Sequence, residues 1–112
     1  MRIAIPVVNG VLSAHFGHCQ CFALVDVDQA TKRVLGREDV DAPPHEPGLL
    51  PAWLAQRDVD AIIAGGMGRR AQDLFSQHDI QVIVGAEARA PEALVAEYLA
   101  GTLVTGANVC DH

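Results

Sequence analysis

Three cysteines and five histidines are the soft metal donors of this 112-residue chain. Two of each fall in one short stretch, "SAHFGHCQCF" (13–22), and the third cysteine stands in the closing "NVCDH" (108–112). Thiolate with imidazole is a donor set for iron–sulfur centres, zinc or copper(I). Cys110 and His112 are two residues apart, so an extended backbone turns both to one side. Cys19 would join them from a facing loop, with His15 or His18 completing four ligands. The competing reading is a small buried cysteine and a polar chain end. Cys21 is either a further ligand or a small residue turned into the core. His15 could equally hydrogen-bond its own loop, and His45, set among prolines in "PPHEP", reads as a loop residue near the site.

A second candidate is "GGMGRR" (65–70). Glycines between a buried strand and a helix expose backbone N–H groups able to hold an anion. Gly65, Gly66, Met67 and Gly68 would supply that cradle, and Arg69 and Arg70 would add charge. The stretch is not a P-loop, because no Lys-Ser/Thr follows, and it is not a G-x-G-x-x-G fingerprint. A tight strand-to-helix turn with solvated arginines is the alternative. Phe16 and Gly17 shape the first loop, Phe16 as a lid over a groove or as an anchor on the core.

These residues need a scaffold to bring them together. With half its residues hydrophobic and a fifth charged, the chain is expected to form one globular domain over 1–112. At this size roughly 65% of the unfolded surface can be buried, enough for a core without disulfides. Aromatics are only 4%, so Val, Ile, Leu and Ala must build that core. An odd cysteine count argues against a closed disulfide framework. The net charge of −6 disfavours nucleic acid as a partner. The opening "MRIAIPVVNGVLSAH" mimics a signal peptide, but Pro6 and Asn9-Gly10 interrupt its apolar run, so a buried strand explains it better. No window approaches the ~18 apolar residues of a membrane span. A reducing cytoplasm with free thiols is the expected setting.

β-branched runs predict strands over 2–8 and 21–28, with a weaker third over 33–40. "DQATK" links the second and third as a hairpin turn. The Pro-rich 41–48 ends that pattern. Helical and strand periods then alternate: a helix over 48–58, a strand over 59–66, a helix over 68–78, a strand over 80–85, and a helix from Pro91 to Gly101. Right-handed crossovers predict a mixed five-stranded α/β sheet of order 3-2-1-4-5, with strand 2 antiparallel.

That topology sorts the chemistry. The 9–20 loop, the loop carrying His45 and "GGMG" all fall at the edge where the first strand exits, called the top. "DQATK" and His78 fall at the bottom. The first and fourth strands border the point where winding reverses, where open α/β sheets bind ligands. About ten residues follow the last helix, able to extend up to ~33 Å, so Cys110 can return to the top. Asp26 and Asp28 lie on the bottom half of the second strand, and the first strand has no acid, which disfavours a two-metal nuclease. Trp53 and Tyr98 sit at helical spacing and read as core.

"SAHFG" after the first strand, "AGGMG" after the fourth and "YLAGTL" near the end, in that order, resemble the dinitrogenase iron–molybdenum cofactor biosynthesis family. "NVCDH" resembles a subgroup of small stand-alone members ending in Cys and His. The resemblance covers nearly the whole chain. It implies a ribonuclease H-like three-layer α/β/α fold and carriage of a metal–sulfur cluster, whether or not nitrogen fixation is involved. It also implies a cluster-handling P-loop ATPase, or a cluster donor or recipient, as partner. On this reading the chain is a non-enzymatic carrier or scaffold with metal ligands Cys19, His18, Cys110 and His112. His15, Phe16, Gly17 and the 65–69 stretch would line the cofactor. The alternative is a metal-free regulatory module that binds a P-loop ATPase. A monomer or weak homodimer is expected, since an exposed third strand could pair with another chain.

Overall fold

The structure is a computed structural model. It describes residues 1–106 except His15, Gly17, His18, His45 and Pro47; residues 107–112 lie outside it. The elements are β1 (Arg2–Val8), β2 (Val11–Leu12), β3 (Cys21–Asp28), β4 (Arg33–Asp41), α1 (Leu49–Ala55), β5 (Ala61–Ile63), α2 (Arg69–Gln77), β6 (Gln81–Ile83) and α3 (Pro91–Ala100). One mixed sheet runs β4-β3-β1-β5-β6, with β2 beside β1. β1 is antiparallel to β3 and parallel to β5, and β5 is parallel to β6.

Alternation along the central strands divides the core. Ile3, Ile5 and Val7 of β1, with Ala23, Val25 and Val27 of β3, face Leu94 and Val95 of α3. Ala4, Phe22 and Leu24 turn to the other face, against Leu54 of α1 and Phe75 of α2. A strand stretch buried on both faces must be apolar, as Ile3–Val7 and Phe22–Val25 are. The result is helix–sheet–helix layering, with α3 on one face and α1 and α2 on the other.

Two local features depart from the sequence expectation. Asn9 (φ 53°) and Gly10 (φ 83°) are consecutive left-handed residues, the geometry of a two-residue hairpin. They fold β2 back on β1, pairing Val7 with Leu12 and Val8 with Val11. The strand expected over 59–66 is regular only at Ala61–Ile63. Beyond Ile63 the chain leaves β1 but keeps its bonds to the β6 side, through Ala64 N–H to the Ile83 carbonyl (2.8 Å) and Gly85 N–H to the Gly65 carbonyl (2.8 Å). The third predicted strand is full-length as β4, although nearly all of it is exposed. Arg37 pairs with Asp39 within the strand and ties β4 to α3 through its ion pair with Glu92. Among the described residues, no helix is long and apolar enough to cross a membrane.

Candidate functional site

The top edge is joined by backbone hydrogen bonds between loops distant in sequence. After β2, Phe16 N–H donates to the Gly66 carbonyl at 3.0 Å. That closeness depends on Gly65, where a Cβ would stand 3.1 Å from the Ala14 carbonyl oxygen and 3.2 Å from that of Ser13. Phe16 itself is half-buried, its ring edge-on to Phe75 at 5.4 Å between centroids. It is therefore an anchor on the core. Gln20 closes the loop: its N–H donates to the Val7 carbonyl (2.9 Å) and its side-chain oxygen accepts from Asn9 N–H (3.1 Å). Ala42 N–H donates to the Gln20 carbonyl (3.2 Å), tying in the chain just after β4.

The turn between β5 and α2 is buried from Ala64 to Met67. Gly65 and Gly66 contribute backbone only, and the Met67 side chain lies within the core beneath α2. The Met67 carbonyl accepts from the Gln72 side chain (2.9 Å). Gly68 is the N-cap of α2 and offers no capping side chain. First-turn N–H groups without a cap suit an anion. Arg69 and Arg70 are exposed in that same turn, which contains no acid. Cations at a helix N-terminus are unfavourable to the helix dipole, and a bound anion would offset them.

The chain after α3 returns to this edge. Gly101 ends the helix in the left-handed region (φ 75°). Leu103 packs on the α3-side core. Thr105 then forms an antiparallel bridge with Ala86, and Gly106 N–H donates to the Gly85 carbonyl at 2.6 Å. Thus Gly85 touches the 64–68 turn through its N–H and the tail through its carbonyl.

Cys19 and Cys21 are both half-buried, free thiols. Their spacing does not place them together, because Cys19 precedes the strand. Cys19 packs on the α1–α2 side and Cys21 on the α3 side. Burial pushes the Cys19 thiol up to about 11, with Cys21 adding to the rise and the backbone of Cys19 and Val7 opposing it. The Cys21 thiol is raised as well, first by burial and then by Asp39, with Arg37 opposing. Neither is a ready nucleophile at neutral pH. A bound cation would reverse this by stabilising the thiolate directly.

Of the metal ligands expected from sequence, Cys19 alone is described; His18, Cys110 and His112 lie outside the described residues, as do His15 and Gly17. Among the described residues, no group of three His, Cys, Asp or Glu side chains could hold a metal ion. The bottom edge is occupied by structural pairs. Asp26 binds Arg2 at 2.8 Å, and Asp28 accepts the Ala30 N–H to form the turn.

Residues 1–101 match the family model described as dinitrogenase iron-molybdenum cofactor. The chain belongs to this family. Uncharacterized protein MJ0580 of Methanocaldococcus jannaschii is 33% identical over 87 residues, covering 73% of this chain and 72% of that protein. The crystal structure of PH0822 aligns with a TM-score of 0.86 at 30% identity, over 94% of both chains. The apo form of the orange protein from Desulfovibrio gigas aligns with a TM-score of 0.72 at 25% identity, over 96% of this chain and 93% of that one.

In this dinitrogenase iron-molybdenum cofactor domain, two features of the edge escape sequence reasoning. Gln20 sits between the cysteines and joins three segments, and no pattern in the sequence distinguishes it from a solvated polar residue. Gly85 reads as the end of a strand; its contact with Gly106 depends on a segment beyond the matched 1–101.

Proposed function

We propose that the chain is a non-enzymatic carrier or scaffold for a metal or metal–sulfur cluster, of iron–sulfur or iron–molybdenum type, held at the top edge. The observation that carries the reading is the joining of four segments there, the first loop, the β5–α2 turn, the chain after β6 and the tail, in a member of this family. Phe16 bonds to Gly66, Gly65 to Gly85, and Gly85 to Gly106. Cys19 supplies a thiolate from the first loop. Cys110 and His112 follow Gly106 by four and six residues, which span at most roughly 13 and 20 Å. His18 completes the ligands. His15, Phe16 and Gly17 shape one wall. Gly65, Gly66, Met67 and Gly68, with Arg69, form the other wall, where uncapped N–H groups and positive charge suit an anionic cluster.

The burial of Cys19 gives the carrier a chemical logic. Loading removes a proton from a thiol that burial keeps protonated, so acid favours release. We also class the sheet and its two helical layers as ribonuclease H-like, and assign the chain to the cytoplasm, where thiols stay reduced. Cluster donors, recipients or a cluster-handling P-loop ATPase are the partners this chemistry needs.

The test is metal and acid-labile sulfide content of anaerobically purified protein beside Cys19→Ser/Cys110→Ser. Stoichiometric metal that disappears in the double variant supports one site shared by loop and tail. Iron with sulfide identifies a cluster; zinc alone makes the site structural and refutes cluster carriage. A second reading is a metal-free module that binds a P-loop ATPase; the observation behind it is the packing of Cys19 against the α1–α2 side core. It predicts an empty protein and partner binding that survives chelation and Cys19→Ser.

A further inference from the structure

Gly85 and Gly106 meet backbone to backbone, and only one of them needs to be glycine. At Gly85 (φ 85°) a Cβ would run into the Gly106 carbonyl oxygen and stand 2.9 Å from that residue's nitrogen and carbonyl carbon. At Gly106 a Cβ would find its nearest neighbour 3.8 Å away, in ordinary contact. Gly10 shares the positive φ (83°) but has open space around it. The demand at Gly85 is therefore steric as well as conformational, and it comes from the tail.

Among the described residues, the rest of 102–106 is lightly held. Thr102 N–H donates to the Glu97 carbonyl (2.9 Å) as the helix ends, and Leu103 is partly buried. Val104 is 69% exposed, and Thr105 and Gly106 are exposed. The Ala86–Thr105 bridge and the Gly106–Gly85 bond are what dock the segment.

We infer that Gly85 is a positioning residue: it is the receptor of a backbone latch that docks the C-terminal segment on the site edge. One peptide unit on each side of its Cα carries the coupling, since its N–H holds Gly65 and its carbonyl holds Gly106. The inference rests on the carrier reading, because the docked segment leads to Cys110 and His112.

The test compares full-length wild type, Gly85→Ala and Gly10→Ala, the last a control for left-handed strain without the contact. Amide exchange of Gly106 reads the latch, and iron retention after reconstitution with ferrous iron and sulfide reads its purpose. In Gly85→Ala the Gly106 amide exchanges at least about tenfold faster, and iron is lost about tenfold faster or more. Gly10→Ala leaves both unchanged. Gly106→Pro, which lacks the donated N–H and leaves Gly85 intact, reproduces the iron loss and serves if Gly85→Ala does not fold. Unchanged Gly106 exchange in Gly85→Ala overturns the latch. Lost protection with wild-type iron retention overturns the positioning role. If wild type takes up no iron, the carrier reading fails, while Gly106 exchange still decides the latch.

Discussion

The ring of Phe16 stands edge-on to that of Phe75, centroids 5.4 Å apart and planes at 73°. Phe75 is a fully buried residue of α2, so this contact fixes the first loop to the helix that follows the facing turn. The backbone repeats the link through Phe16 N–H and Gly66. Truncation to Phe16→Ala is expected to cost about 2 kcal/mol, less than a fully buried Phe because the ring is only half-buried. Urea denaturation measures it, and Phe16→Leu should recover part of the loss. A cost below ~0.5 kcal/mol would mean that the ring does not anchor the loop.

The Cys19 thiol is held near 11 by burial. In a Cys21→Ser/Cys110→Ser background, alkylation at neutral pH should be about a hundredfold slower than in the denatured chain, in proportion to the thiolate fraction. The sign for stability follows from linkage. A raised folded value means that stability is complete below the ordinary thiol range and falls as pH climbs from about 9.0 towards about 11. Denaturation of the metal-free protein across that range should show the fall, and Cys19→Ser should remove it.

Gly65 permits the close approach of the Ser13–Ala14 backbone, with Cβ distances of 3.1 to 3.2 Å. A bulkier Gly65→Val must push the first loop away from the β5–α2 turn, at a cost of about 1–3 kcal/mol. Gly68→Ala has open space and an ordinary φ of −65°, so it should cost less than ~1 kcal/mol. Thermal and urea denaturation of the pair separates contact from composition.

At the other edge, Arg2 holds the Asp26 carboxylate below its ordinary value by a hydrogen bond and its charge, against a smaller cost of burial. Asp26 remains 44% exposed, so solvent screening limits the pair to about 0.5–1 kcal/mol. The lowered folded value means that this contribution is present above the ordinary aspartate range and is lost as pH falls through it. Asp26→Asn should remove that acid-side slope and leave metal content unchanged.

How much of this is legible in sequence depends on whether a residue's role is set nearby. Ile3, Ile5 and Val7 show β1 as a strand because alternate side chains serve different core faces, and Pro91 and Gly101 mark the ends of α3 by local backbone chemistry. The Asn9-Gly10 pair shows a turn, but its second strand, Val11–Leu12, is too short to display a period. The extent of regular β5 is invisible because the split after Ile63 is decided by the β6 side, not by composition. At the site, donor types are legible at Cys19 and in the tail, whereas the burial that keeps Cys19 protonated comes from the α1–α2 face. Gly85 is furthest from reach, since its requirement arises from Gly106.

The most direct measurement of the central claim is a map of backbone amide shifts as labelled protein is reconstituted anaerobically with ferrous iron and sulfide. The carrier account predicts shifts or broadening at Phe16, Cys19, Gly65, Gly66, Gly68, Gly85 and Gly106, with Ala30–Lys32 and His78 at the opposite edge unmoved. Changes centred on the bottom edge, or none anywhere while the protein stays folded, would contradict it.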